Sequence, residues 1–253
     1  MASKQFNSAF QNILKYCENS KLYLGEGNPN AKILIIGKEI GRAHEKEQIL
    51  SVENSNVEND SNLRFWRERF EKEYLNGYLN EITERFKNKP NSTWISYQKI
   101  VDSIISTESN EKKHDFLNHT YITELSQIHL PYSRQTTNYE LINARRESID
   151  QRKKMFKQDF YQNFPIVVMT CGHYPTRDFD FDIEDTFNVR WDQKTITLSK
   201  GNYYNLHYGK TKLGEEKILI HTRQASLGVT NELLTTIGNL CRRFYKSSIE
   251  ISN

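Results

Sequence analysis

Four ionisable side chains stand where buried-looking apolar runs give way to turns: Glu39, Glu124, His173 and His221. Glu39 lies in Gly37-Lys38-Glu39-Ile40-Gly41, behind the run at 32–36. Glu124 closes Thr120-Tyr121-Ile122-Thr123-Glu124. His173 follows the run at 165–170, inside Cys171-Gly172-His173-Tyr174-Pro175. His221 ends the run at 217–221 and is followed by Thr222-Arg223-Gln224. A carboxylate can orient water or take its proton, and an imidazole can give one. Backbone N–H groups of a glycine turn can hold a ligand oxygen. None of these residues shares the close spacing of metal ligands, so they read as an acid–base set, and neither a metal nor any other cofactor is expected. Each also has a plain structural reading. A strand-end histidine is often only hydrogen-bonded, Glu39 could balance a helix dipole, and Glu124 could pair with an arginine.

These residues need elements to bring them together. The runs at 32–36, 165–170 and 217–221 are apolar without alternation, as in strands covered on both faces of a parallel sheet. The run at 120–124 is a fourth strand. Helical spacing falls at 8–15, 63–86, 94–105, 147–160 and 231–245. The order predicts an α/β fold, three-layer αβα, with a central four-stranded mainly parallel sheet plus an inserted hairpin, in a single domain over 1–253. In open parallel sheets ligands bind outside the carboxyl ends of the strands, so the four residues share one rim. Two stretches read as insertions. The polar segment 45–61 is expected to be a loop or lid. Segment 177–208 holds the run Asp178-Phe179-Asp180-Phe181-Asp182 and an alternating strand at 194–198. Carboxylates alternating with Phe point to opposite sides, which favours a solvated loop over a metal site.

The net charge of +3 permits nucleic-acid contact without arguing for it. Cys17, Cys171 and Cys241 are too far apart and too few for a disulfide framework or a four-cysteine metal site. No leader and no membrane-length apolar run is visible, so a cytoplasmic monomer away from membranes is expected.

The segments, taken in order, resemble the uracil-DNA glycosylase superfamily, particularly its iron–sulfur bacterial and archaeal branch. The residues that carry the resemblance are Gly25-Glu-Gly-Asn-Pro-Asn-Ala-Lys-Ile-Leu-Ile-Ile-Gly37, Thr120-Tyr-Ile-Thr-Glu-Leu125 with Leu130-Pro-Tyr-Ser-Arg134, Phe164-Pro-Ile-Val-Val-Met-Thr-Cys-Gly172, and Ile218-Leu-Ile-His-Thr-Arg223. The resemblance implies a DNA glycosylase that extrudes a nucleotide and cleaves its base–sugar bond. By position it makes Glu39 the water-orienting group and His221 the donor to the base oxyanion. Gly37, Lys38 and Glu124 would contact the base, and Arg223 and Gln224 would meet the DNA.

The chain departs from that pattern at several points. The first motif lacks its proline, and its carboxylate comes one place later. The last motif is His221-Thr222-Arg223, without Pro and Ser. The cluster cysteines are missing, so no iron–sulfur cluster is expected. Glu124 stands where the family has Asn. An ionised Glu can only accept hydrogen bonds, which favours a base with two donors on its edge and hence altered base specificity. Two other readings accompany the glycosylase: a catalytically silent member that binds nucleic acid or a nucleotide, and a small-molecule N-glycosyl hydrolase.

Overall fold

The computed structural model describes residues 6–39, 52–72, 75–88, 92–105, 115–128, 139–226 and 228–250. Helix α1 (Ser8–Ser20) is capped by Asn7, whose side chain accepts from the Phe10 amide, and it buries Phe10, Ile13, Leu14 and Cys17. Strands β1 (Glu26–Gly27) and β2 (Ile33–Glu39) follow. Then come α2 (Val52–Glu71), α3 (Leu75–Asn88), α4 (Ser92–Ile105), α5 (Phe116–His119) and β3 (Thr120–Ser126). Helices α6 (Tyr139–Phe156) and α7 (Asp159–Gln162) lead into β4 (Ile166–Met169) and a π-turn at Tyr174–Asp178. The chain continues through α8 (Ile183–Phe187), β5 (Val189–Thr197), β6 (Tyr203–Lys210), β7 (Glu216–Thr222) and α9 (Asn231–Glu250). No helix among the described residues is long and apolar enough to cross a membrane.

The fold is α/β, but the sheet has seven strands rather than the expected four, in the order β1-β3-β2-β4-β7-β6-β5. The middle strands β3, β2, β4 and β7 run parallel. They are the four apolar runs, and burial on both faces explains why their sequences do not alternate. The β5–β6 hairpin pairs antiparallel with β7 and extends the same sheet. Its turn brings Lys200 and Tyr203 to the end where β7 finishes.

The polar segment 45–61 is also corrected in part. Its residues from 52 onward are helical and run on into α2. The buried positions Ser55, Asn59, Leu63 and Trp66 recur every three or four residues, so the stripe is helical. Its first half is made of small polar residues, and hydrophobic periodicity misses it. Residues 45–51 lie outside the described residues, as does the Pro/Arg segment at 130–134. The helical stretch predicted at 63–86 belongs to two helices, α2 and α3.

β2 is the first of the parallel strands. The chain leaves it for β3 on one side and returns to β4 on the other. The crevice between β2 and β4 is therefore the switch point where ligands bind in sheets of this kind.

Candidate functional site

The sheet register decides which side chains meet. Gly37 lies opposite Glu124, Ile36 lies opposite Met169, and Met169 lies opposite His221. Side chains alternate between faces along a strand. Gly37, Glu124 and Glu39 therefore share one face near the carboxyl ends, and His221 belongs to the other. The predicted catalytic pair is separated by the sheet, whereas Glu39 and Glu124 are neighbours.

Glu39 is held by two residues that the sequence reading missed. The Tyr174 hydroxyl donates to Glu39 Oε2 at 2.8 Å. Arg145 Nε, from α6, lies 3.4 Å from the same oxygen, and both side chains are only 5% exposed. A carboxylate so placed is stabilised as the anion. Burial first, and then the Glu39 charge, pushes the Tyr174 phenol well above its ordinary range, so it stays a donor. Lys38 Nζ sits 4.1 Å from the centre of the Tyr174 ring.

Glu124 is in the opposite electrostatic condition. A Cβ built on Gly37 would lie 2.1 Å from Glu124 Oε2 and 2.7 Å from both Cδ and Oε1, so the carboxyl lies against the bare glycine. Oε2 is sealed from solvent and has no hydrogen-bond partner among the described residues, although the residue keeps partial solvent access. Arg152 is close but engaged elsewhere. Its Nε donates to the Glu124 main-chain carbonyl at 2.6 Å, Nη1 to the Tyr23 carbonyl, and Nη2 to Thr123 Oγ1 at 2.6 Å. Burial raises the Glu124 pKa to about 8, with Arg152 opposing and Glu39 and Glu26 adding to the rise. The expectation of an ionised, accept-only Glu124 is thus corrected. Near neutral pH it is a carboxylic acid with one O–H to donate.

His221 is 2% exposed, and its Nε2 lies 2.7 Å from the Gly172 carbonyl oxygen. A carbonyl only accepts, so Nε2 carries the proton. Burial lowers the His221 pKa to about 4, which keeps the ring neutral with a single N–H. That N–H anchors the Gly172 turn, where φ is +61° and the amide in turn donates to the Thr222 carbonyl at 3.0 Å. His173 stacks on Tyr203 with ring centres 5.7 Å apart. Arg223 and Gln224 follow β7 on the same rim. Arg223 packs over Gly228, where an added Cβ would meet Nη2 at 3.0 Å, and the Gln224 amide lies beside Gly172. Arg177 and Arg223 both act on the Tyr203 phenol, and Lys200 is exposed in the β5–β6 turn. Cys171 Sγ lies 3.2 Å from the Gly37 carbonyl oxygen and is buried, with its thiol pushed well above the ordinary range. It is therefore a packed thiol rather than a nucleophile.

No group of three or more His, Cys, Asp or Glu side chains among the described residues could hold a metal ion. What the rim assembles is a carboxylate stabilised by a guanidinium and a phenol, a neutral carboxyl close by on the same face, and cationic side chains beyond the β7 end. This arrangement can activate water and transfer protons. No protein-family model, curated protein or solved structure matches the chain.

Proposed function

We propose that this chain is a DNA N-glycosylase built on a uracil-DNA glycosylase-type scaffold, hydrolysing the bond between a base and its deoxyribose. One observation carries this reading: a glutamate ion-paired with a guanidinium and a buried glutamate held toward its acid form sit on one face at the carboxyl ends of the parallel strands. Pairs of carboxyls whose environments drive their pKa values apart mark acid and base roles in glycoside hydrolysis. Glu39 orients the attacking water and supports positive charge developing on the sugar. Gly37 and Glu124 line the side on which the base would rest, and Lys38 projects from the next position over the Tyr174 ring. Arg177, Lys200, Arg223 and Gln224 meet the phosphate backbone.

The test is base release from single- and double-stranded oligonucleotides carrying uracil, hypoxanthine, xanthine or alkylated bases. Glu39→Gln should lower the single-turnover rate by about a hundredfold or more while leaving binding intact. Release that is unaffected by the substitution would remove Glu39 from the reaction. A second reading, nucleic-acid or nucleotide binding without cleavage, is favoured by the engagement of the single His221 N–H with Gly172. It predicts salt-dependent binding with no base released from any oligonucleotide.

A further inference from the structure

We propose that Glu124, rather than His221, is the general acid that protonates the departing base. The inference rests on the glycosylase reading above and assigns a further catalytic residue to it.

The geometry carries the argument. Glu124 reaches across from β3 and lies on β2 at Gly37, the one residue type that leaves room for it. Glu39 is two residues further along β2 on the same face, so the backbone positions of Gly37 and Glu39 are about 7 Å apart. Among the described residues the Glu124 carboxyl makes no hydrogen bond or ion pair, and its Oε2 is buried without a partner. His221, by contrast, has its N–H fixed on Gly172 and lies on the opposite face.

The surroundings keep the proton on Glu124. From β2 it faces Glu39, with Lys38 nearby on the same strand. Glu26 of β1, Tyr23 before it, Tyr97 of α4 and Cys171 after β4 complete the set, together with Arg152 of α6. Glu39 and Glu26 both act against ionisation of Glu124. Tyr23, Tyr97 and Cys171 are all held above their ordinary ranges and remain uncharged. Arg152 favours ionisation, and its three donating nitrogens point at Glu124's own carbonyl, the Tyr23 carbonyl and Thr123.

The step balances. The C1′–N bond breaks and its electron pair leaves with the base. The Glu124 O–H proton passes to that base. Water adds its oxygen to C1′ and gives its proton to Glu39. Solvent then returns a proton from Glu39 to Glu124, and the net change is the addition of one water molecule.

The experiment is the pH profile of single-turnover base release by the full chain and by Glu124→Gln, on the best substrate from the oligonucleotide panel. A second substrate carries a more acidic leaving base, such as 5-fluorouracil in place of uracil. Glutamine keeps the volume and a donor but cannot transfer a proton. The wild-type rate should fall as pH rises through about 8, where Glu124 ionises. The Gln variant should be about a hundredfold slower or more, without that fall, and should recover much of its loss on the acidic leaving base. A circular-dichroism melt confirms that the variant folds. Release by the wild type with an unchanged rate and profile in Glu124→Gln overturns the role of Glu124 alone. Absence of release by the wild type at any pH overturns the glycosylase reading and this one with it.

Discussion

Gly37→Ala probes the contact on which the site depends. The new methyl would stand 2.1 Å from Glu124 Oε2, where ordinary contact begins near 3.4 Å, so the carboxyl must retreat by more than an ångström. The backbone at Gly37 has no left-handed φ, so the penalty comes from crowding alone. Overpacking of this kind costs about 1–3 kcal/mol. The same change made in a Glu124→Ala background meets no carboxyl. There it should stabilise by about 0.5–1 kcal/mol, because alanine loses less conformational freedom than glycine in a strand. The sign of the effect therefore reverses between the two backgrounds, a coupling well above the scatter of independent sites. Urea denaturation of the four proteins at pH 6, where Glu124 is uncharged, measures it. The activity consequence follows from the same displacement: moving a catalytic group by about 1 Å costs roughly a hundredfold in rate. An equal penalty in both backgrounds would refute the reasoning, because the strain would then lie elsewhere than against Glu124.

Two further predictions concern buried bases and their pH signatures. Lys217 is 1% exposed, and burial lowers its pKa from 10.5 to about 8. The unfolded chain binds the extra proton between these values, so the contribution of Lys217 to stability should rise by about 3 kcal/mol from pH 8 to pH 10.5, against the opposite trend set by the buried cysteines and tyrosines. In paired denaturation curves the stability of wild type minus that of Lys217→Met should rise by that amount, and a pH-independent difference would show that Lys217 does not titrate in the folded protein. His221 has a folded pKa of about 4 against 6.5 unfolded, so its contribution is present above pH 6.5 and is lost as pH falls toward 4. His221→Gln keeps a donor for the Gly172 carbonyl and should hold its stability over that window. It should also slow base release far less than Glu124→Gln does, and the reverse ranking would return the acid role to His221.

The parallel strands were legible because each is a short apolar run bounded by a turn. The rim followed from them, since Glu39, Glu124 and His221 each lie at or near the end of such a run. Which of them face each other was not legible, because it depends on register. A shift of one residue moves a side chain to the other face, and His221 falls on the far side from Glu124 for that reason. Arg145 and Tyr174 escaped notice because each is more than a hundred residues from Glu39 in the chain. Nothing local marks an arginine in a charged helix as the one that turns inward. The neutrality of Glu124 was hidden for a related reason. An arginine does lie beside it, but its N–H groups donate to the Glu124 and Tyr23 carbonyls and to Thr123 rather than to the carboxyl, and the sequence does not show that direction. The start of α2 was missed because Ser55 and Asn59 fill a stripe that is usually apolar.

The two rims of the sheet that carry unpaired backbone are finished in different ways, and together they limit how this protein can meet copies of itself. At one margin β1 is two residues long, and side chains claim its backbone. The Gly27 amide donates to the Tyr78 hydroxyl, the Gly25 carbonyl accepts from Trp66 Nε1 and Asn62 Nδ2, and the Leu24 amide donates to Asn62 Oδ1. At the other margin β5 is long and exposed, but its pairing with β6 slips between Trp191 and Thr195, and Gln193 adopts a left-handed φ of +59°. Arg190, Asp192 and Lys194 line the interrupted stretch. Bulges and charges of this kind keep an open strand from templating another chain. The sheet is thus closed to growth on one side by capture of its hydrogen bonds and on the other by deformation and charge, so a concentrated solution should resist the edge-to-edge assembly to which a flat strand of that length would be prone.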